Sequence, residues 1–206
     1  VVVRFDITEE LTMKYPDTLI ADFSARDAAH DVDKTIAQRW SPRAFKKAAI
    51  AEQDIQTLFE AARWAPSCFN AQPWIFYVST DQSFDKYLSL LVEGNQVWAK
   101  NASLICFVVV KKTFEHNNKP NSYAEFDAGA AWMAMALQAR QMGLYTHGMG
   151  GIEHQQVADY LELDNDHKVV CGIAIGIADT PDTLPRDIAA KEKPSARKPL
   201  TQVLRR

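Results

Sequence analysis

The stretch from about Ser122 to Met142 constrains the fold more than any other part of the chain. Apolar positions recur through it at helical spacing, and Gly143 follows as a C-cap. Phe126, Ala130, Met133 and Leu137 fall on one stripe, and seven of its residues are alanine: Ala124, Ala128, Ala130, Ala131, Ala134, Ala136 and Ala139. Small side chains on several faces let such a helix approach neighbours closely on more than one side. That suits a central position or a helix-to-helix subunit contact, and a surface helix is not expected.

The remaining pattern mixes strands and helices. Ala51 to Trp64 carries Ile55, Leu58, Phe59 and Ala62 at helical spacing and is stopped by Pro66. Trp74 to Thr80 is aromatic and β-branched, as a buried strand should be, and Leu104 to Val110 is a second strand, apolar on both faces. Between them a helix is expected from Asp81 or Ser83 to about Glu93, closed by Gly94. A short helix from Glu153 to Leu161 and a strand from Val169 to Ala178 follow. The order fits an α+β sandwich better than a regular βαβ alternation. The chain has no internal repeat, and its Pro-punctuated end is expected to lie along the surface of its own or a partner subunit.

At 206 residues, 47% hydrophobic and 24% charged, the chain can bury a sizeable core. Residues 1–34 stand as an N-terminal extension of unassigned role, and residues 35–206 as a single domain. No run reaches the roughly 18 apolar residues of a membrane span, and Val1 to Phe5 is too short for a signal-peptide core; a cytoplasmic protein without a membrane partner is expected. A net charge of −3 does not advertise nucleic acid. The charge is uneven, however: Arg186 to Arg206 holds seven basic residues against Asp187 and Glu192. A solvated tail and a phosphate contact by one or two of its residues both fit that excess. Cys68, Cys106 and Cys171 form no C-x-x-C pair and are expected to be reduced thiols.

Five histidines without ligand spacing offer no metal site. His147-Gly148-Met149-Gly150-Gly151 fails as a dinucleotide fingerprint because Glu153 stands where the third glycine belongs, but its backbone could approach a flat ligand; loop turning explains it equally well. Cys68 paired with His147 is a conceivable nucleophile, although no family cysteine signature surrounds it and a partly buried thiol is the commoner state. Three clusters remain. In Arg39-Trp40-Ser41-Pro42-Arg43 two guanidinium groups and a hydroxyl can converge on one phosphate, or form a salt-bridge patch at a helix end. Ala65 to Trp74 (A-P-S-C-F-N-A-Q-P-W) carries amides that match the alternating donors and acceptors of a pyrimidine-like ring edge. Ser195 to Leu200 (S-A-R-K-P-L) is another possible phosphate clamp.

As a set, these clusters resemble the FMN-dependent nitroreductase family from about Ile36 to the C-terminus. A-P-S-C-F-N-A-Q-P-W is close to that family's A-P-S-S-x-N-x-Q-P-W, and the R-x-S-x-R run, the E-F-D-A-G-A-A-W-M-A-M-A-L-Q-A-R-Q-M-G-L helix, the G-M-G-G-I loop and the R-K-P-L tail support it. The resemblance implies an α/β sandwich whose central mixed, mainly antiparallel sheet is flanked by helices. It also implies an intertwined homodimer holding non-covalent FMN in sites built from both chains. Within the run that also holds Trp40, it assigns Arg39, Ser41 and Arg43 to the FMN phosphate and ribityl side, joined by Arg197 and Lys198. Pro66, Ser67, Cys68 and Asn70 would come from the other subunit to line the ring. Gly148, Met149, Gly150 and Gly151 would pass near its reactive N5 edge, with Asn95 as a weaker contact and Gln72 and Trp74 bracing the loop.

The implied chemistry is hydride transfer from NAD(P)H through flavin N5 to a small-molecule acceptor such as a nitroaromatic or quinone, in a ping-pong cycle that needs no side-chain acid or base. Phe69, Trp40 and Trp98 are candidates for the pocket mouth, set against the usual core role of large aromatics. Two residues depart from the family pattern: Cys68 stands where Ser is usual, and Gly150 where some members carry Glu. A non-catalytic flavin-binding protein, and family variants that reduce carbon–halogen or carbon–carbon bonds, share the same cofactor contacts.

Overall fold

The computed structural model describes residues 13–15 and 21–206. In chain order its elements are α1 (Lys34–Gln38), β1 (Phe45–Lys46), α2 (Glu52–Arg63), β2 (Trp74–Val78), α3 (Phe84–Ser89), α4 (Glu93–Ala99), β3 (Leu104–Lys111), α5 (Ala124–Gln141), β4 (Tyr145–Met149), α6 (His154–Tyr160), β5 (His167–Ala178), α7 (Arg186–Ala189) and α8 (Leu200–Val203). The strands form one sheet in which β3 lies between β2 and β5, and the far edge of β5 is shared by β4 and β1. Every pairing among the described strands is antiparallel.

The apolar run of β3 explains why it sits in the middle. Ile105, Phe107 and Val109 enter one core with Tyr87, Trp98 and Val157, from α3, α4 and α6. Leu104, Cys106, Val108 and Val110 enter the other with Leu58 of α2 and Ala128, Ala131 and Met135 of α5. Only a strand covered on both faces satisfies seven consecutive apolar residues, and each fully buried large side chain there contributes about 1.5–3 kcal/mol. The result is the expected α+β sandwich.

Helix α5 runs where its alanines place it, but its face is turned. Ala124, Ala128, Ala131, Met135 and Ala139 are buried, whereas Phe126 is 76% exposed and Met133 38%. Phe126 and Met133 of the expected stripe therefore lie away from the core, while Ala130 is partly buried against it, because it is mainly the alanines, with Met135, that fit against α2 and the sheet. After α5, Gly143 turns the chain at φ 84°, where an added Cβ would lie 1.9 Å from the Tyr15 carbonyl oxygen.

Two expected boundaries differ. The helix begun near Ser83 ends at Ser89, and Gly94 lies in the first turn of α4 instead of closing α3. Leu90 and Leu91 are fully buried and Val92 is extended, its N–H donating to the Gly151 carbonyl at 3.1 Å; the chain leaves the helix to bury this pair. The second difference is His147-Gly148-Met149, a strand and not a loop, paired with Gly172 to Ala174 of β5. Its glycine masks the short β pattern.

Candidate functional site

Chain geometry around Arg39 starts the site. Helix α1 ends at Gln38, and Arg39, Ser41 and Arg197 then face one cavity of about 600 Å³ that is also walled by Trp132 and Met133 of α5. Arg39 Nη1 donates to Ser41 Oγ at 3.4 Å. Arg197 curls over its own strand of chain, Nη1 donating to the Ser195 carbonyl and hydroxyl oxygens at 3.2 and 3.1 Å. Arg26, which no sequence pattern marked, joins them: its Nη1 donates to the Ala37 and Arg39 carbonyls at 3.2 and 3.3 Å. Burial, and then the charge of Arg197, pull the Arg39 guanidinium below its usual pKa; burial, Arg197 and Arg39 do the same to Arg26. Guanidinium groups gathered around one cavity can hold an anion.

Other members of the same motifs stand apart. Arg43 turns to Glu192, its Nη1 3.9 Å from Oε2, while the Arg43 and Ala44 N–H groups donate to Glu192 Oε1 at 2.5 and 2.8 Å. The buried Glu192 carboxylate thereby ties the basic tail to the 39–43 run, five residues before Arg197. Lys198 is exposed and lies outside the cavity. Trp40 is a core residue, edge-on to Tyr145 at 6.4 Å, and Trp98 is fully buried. Neither lines the arginine cavity, although Trp98 lines a separate one with Arg43 and Asn95.

Strand β4 runs beside the arginines. His147 Nδ1 lies 2.9 Å from the Pro42 carbonyl oxygen and its ring is 4.6 Å from Trp98. Burial holds its pKa down to about 4, so the ring is neutral and Nδ1–H is the donor; none of its described partners is Cys68. Gly148 is where Trp132 closes on the strand: an added Cβ would lie 2.5 Å from the indole ring. Met149 points into the core. At Gly151 an added Cβ would lie 2.7 Å from Asn95 Nδ2, which donates to the Gly151 carbonyl at 2.9 Å. At Gly150 it would meet nothing within 4 Å. The strand thus ends in backbone that is braced on one side and open on the other.

The Pro66–Asn70 loop is built differently. Phe69, Asn70 and Gln72 all have positive φ (53°, 54° and 46°), a region unfavourable for side chains other than Asn or Asp by about 1–2 kcal/mol each. Local bonds hold it: Gln72 N–H donates to Ser67 Oγ at 2.9 Å, Gln72 Nε2 to the Asn70 carbonyl at 3.0 Å, and Cys68 N–H to Oδ2 of the buried Asp127 at 3.1 Å. Gln72 braces the loop with its amide. Phe69, 79% exposed, contacts only the edges of Phe114 and His116 among described rings. Asp127 and the cavity residue Gly129 are two positions apart, about 200° around the helix, so loop and cavity fall on opposite sides of α5. Within one chain the two halves do not meet. Cys68, Cys106 and Cys171 are free thiols, and burial pushes Cys171 up to about 11.

Arg26, Glu192 and Trp132 are absent from the motif-based set. Arg26 lies in a segment without periodicity, Glu192 is one acid in a basic tail, and Trp132 reads as one more apolar residue of α5; no signal in the sequence separates them.

The profile of the nitroreductase family matches residues 36–96 and 88–177. A solved structure described as an oxidoreductase containing FMN is 40% identical and superposes with a TM-score of 0.84, the match covering 87% of this chain and 93% of that one. The 4-nitrobenzoate reductase of Pseudomonas putida is 25% identical over 210 residues, 77% of this chain and 92% of its own. YdjA of Escherichia coli, whose name ascribes NAD(P)H nitroreductase activity to it, is 30% identical over 129 residues, 57% of this chain and 67% of its own.

Proposed function

Because the chain belongs to the nitroreductase family, we propose that it is an FMN-dependent oxidoreductase, active as a homodimer, that takes hydride from NAD(P)H and reduces a small acceptor such as a nitroaromatic or quinone. The observation that carries this reading is the convergence of Arg39, Ser41 and Arg197 on one cavity beside the glycine-bearing β4. These residues suit FMN. Guanidinium groups and a hydroxyl match a terminal phosphate, and the Trp132 ring against Gly148 gives a flat wall that any Cβ at 148 would push away.

When bound, FMN supplies a ring that accepts a hydride and passes it on. The chain's own residues bind and orient. Arg39, Ser41 and Arg197 would hold the phosphate end, Asn95 fixes the Gly151 carbonyl, and the open backbone at Gly150 would leave room for the ring. No side chain needs to move a proton, and His147 is committed to Pro42. The ring-lining loop Pro66–Asn70 comes from the second subunit. Its support is the apolar side of α5 that the single chain leaves uncovered, where Tyr123, Phe126 and Met133 lie three and seven residues apart on one face. Met133 also lines the cavity, which makes site and subunit contact continuous.

The purified protein should be yellow and release FMN, not FAD, on denaturation. Anaerobic NAD(P)H should bleach it and an acceptor restore it, in wild type and in Cys68→Ser alike, and steady-state double-reciprocal lines should be parallel. A colourless protein that FMN cannot reconstitute contradicts the reading.

A further inference from the structure

The cavity is cationic beyond what the family-matched region supplies. That region begins at residue 36, yet Ala25, Arg26, Asp27, Ala28 and Val32 wall the cavity from upstream. We propose that Arg26 is a third arginine of the flavin-phosphate pocket, one that orients Arg39 and adds the charge that completes the match to a phosphate dianion. The proposal rests on the FMN reading above.

Three observations carry it. First, charge: Arg26, Arg39 and Arg197 face the cavity with one carboxylate, Asp27, and none of the three forms an ion pair among the described residues. Two positive charges are left, against roughly −1.5 to −2 on a phosphate monoester at neutral pH. Without Arg26 only one would remain. Second, geometry: Nη1 of Arg26 binds the Ala37 and Arg39 carbonyls, so the guanidinium caps the end of α1 at the point where the chain turns to present the Arg39 side chain. Third, proximity: burial, and then the charges of Arg197 and Arg39, lower the Arg26 pKa, as expected of guanidinium groups gathered around one space.

FMN and riboflavin differ only in the phosphate, so their ratio isolates this contact from the rest of the site. Apoprotein is titrated with each flavin by fluorescence quenching, for wild type, Arg26→Ala and Arg26→Gln. Arg26→Ala should weaken FMN about tenfold to a hundredfold, the range for one charge-assisted bond to phosphate, with riboflavin affinity unchanged. Arg26→Gln keeps a donor for the two carbonyls while removing the charge; it should lose FMN selectivity as well, and it serves if the alanine variant unfolds. A wild-type FMN-to-riboflavin ratio in folded variants overturns the proposal and leaves the FMN reading standing. Equal loss of both flavins also overturns it, since that marks a purely structural arginine. Wild-type protein that binds neither flavin overturns the FMN reading itself, and the proposal with it.

Discussion

The arginine cavity and the Pro66–Asn70 loop differ in how complete they are within one chain. In the cavity, residues from the upstream segment, the 39–43 run, α5 and the tail already converge, and charge and neutral donors stand ready without another molecule. The loop holds positive-φ residues in place with four hydrogen bonds of its own neighbourhood and exposes Phe69 to solvent. A conformation maintained at that cost with its apolar tip uncovered is organised for something beyond the chain. On the proposed reading, the contrast separates a phosphate end, which one subunit would own, from a ring end, which would need two.

The largest expected effect is at the phosphate end. Arg39→Ala or Arg197→Ala should weaken FMN by about 1.5–3 kcal/mol, one to two decades, while Lys191→Ala, outside that cavity, should not. Equal affinities across the three variants in fluorescence titration would erase the distinction between the two ends.

His147 ties β4 to Pro42 beside the arginine cavity, and burying its charge on protonation should loosen that junction. Its folded pKa, about 4, lies below the ordinary 6.5, so the unfolded chain takes up the proton first as pH falls. Stability is therefore complete above 6.5 and is lost toward 4. The loss between pH 7 and pH 5 is up to about 2 kcal/mol from this group. Urea unfolding at the two pH values checks it against His147→Asn, which should flatten the dependence; an unchanged slope would remove His147 from the account.

A smaller effect belongs to the loop. Asp127→Ala frees the Cys68 N–H and should weaken FMN and riboflavin alike, by about 1 kcal/mol or fivefold, because it touches the ring end and not the phosphate. Loss confined to FMN would mean the two ends are not separable.

Much of this contrast was legible in the residues. Seven consecutive apolar positions at 104–110 admit few places other than the centre of a sheet, and the R-x-S-x-R and A-P-S-C-F-N-A-Q-P-W runs mark both ends of the proposed site. What was not legible has common causes. Periodicity shows that Phe126 and Met133 share a stripe with Ala130, but not which side of α5 meets the core; that depends on how closely the alanines let α2 approach. The break at Leu90–Leu91 comes from tertiary burial, which no cap residue announces. Arg39 and Arg43 look equivalent in the motif, and Glu192, 149 residues after Arg43, decides that one faces the cavity and the other the tail. Arg26 reaches the cavity through backbone carbonyls, which leave no mark in the sequence.

The two-chain ring site is tested most directly by sedimentation velocity followed at the visible absorption band of the flavin, for wild type and Phe126→Asp. In wild type the colour should travel with a species of twice the 23.2 kDa chain mass. In Phe126→Asp, a charge on the exposed apolar side of α5 should shift the boundary toward the single-chain mass, and the colour should stay behind as free flavin. A yellow species sedimenting at the single-chain mass, in either protein, would mean that one chain holds the flavin alone and would contradict the shared site.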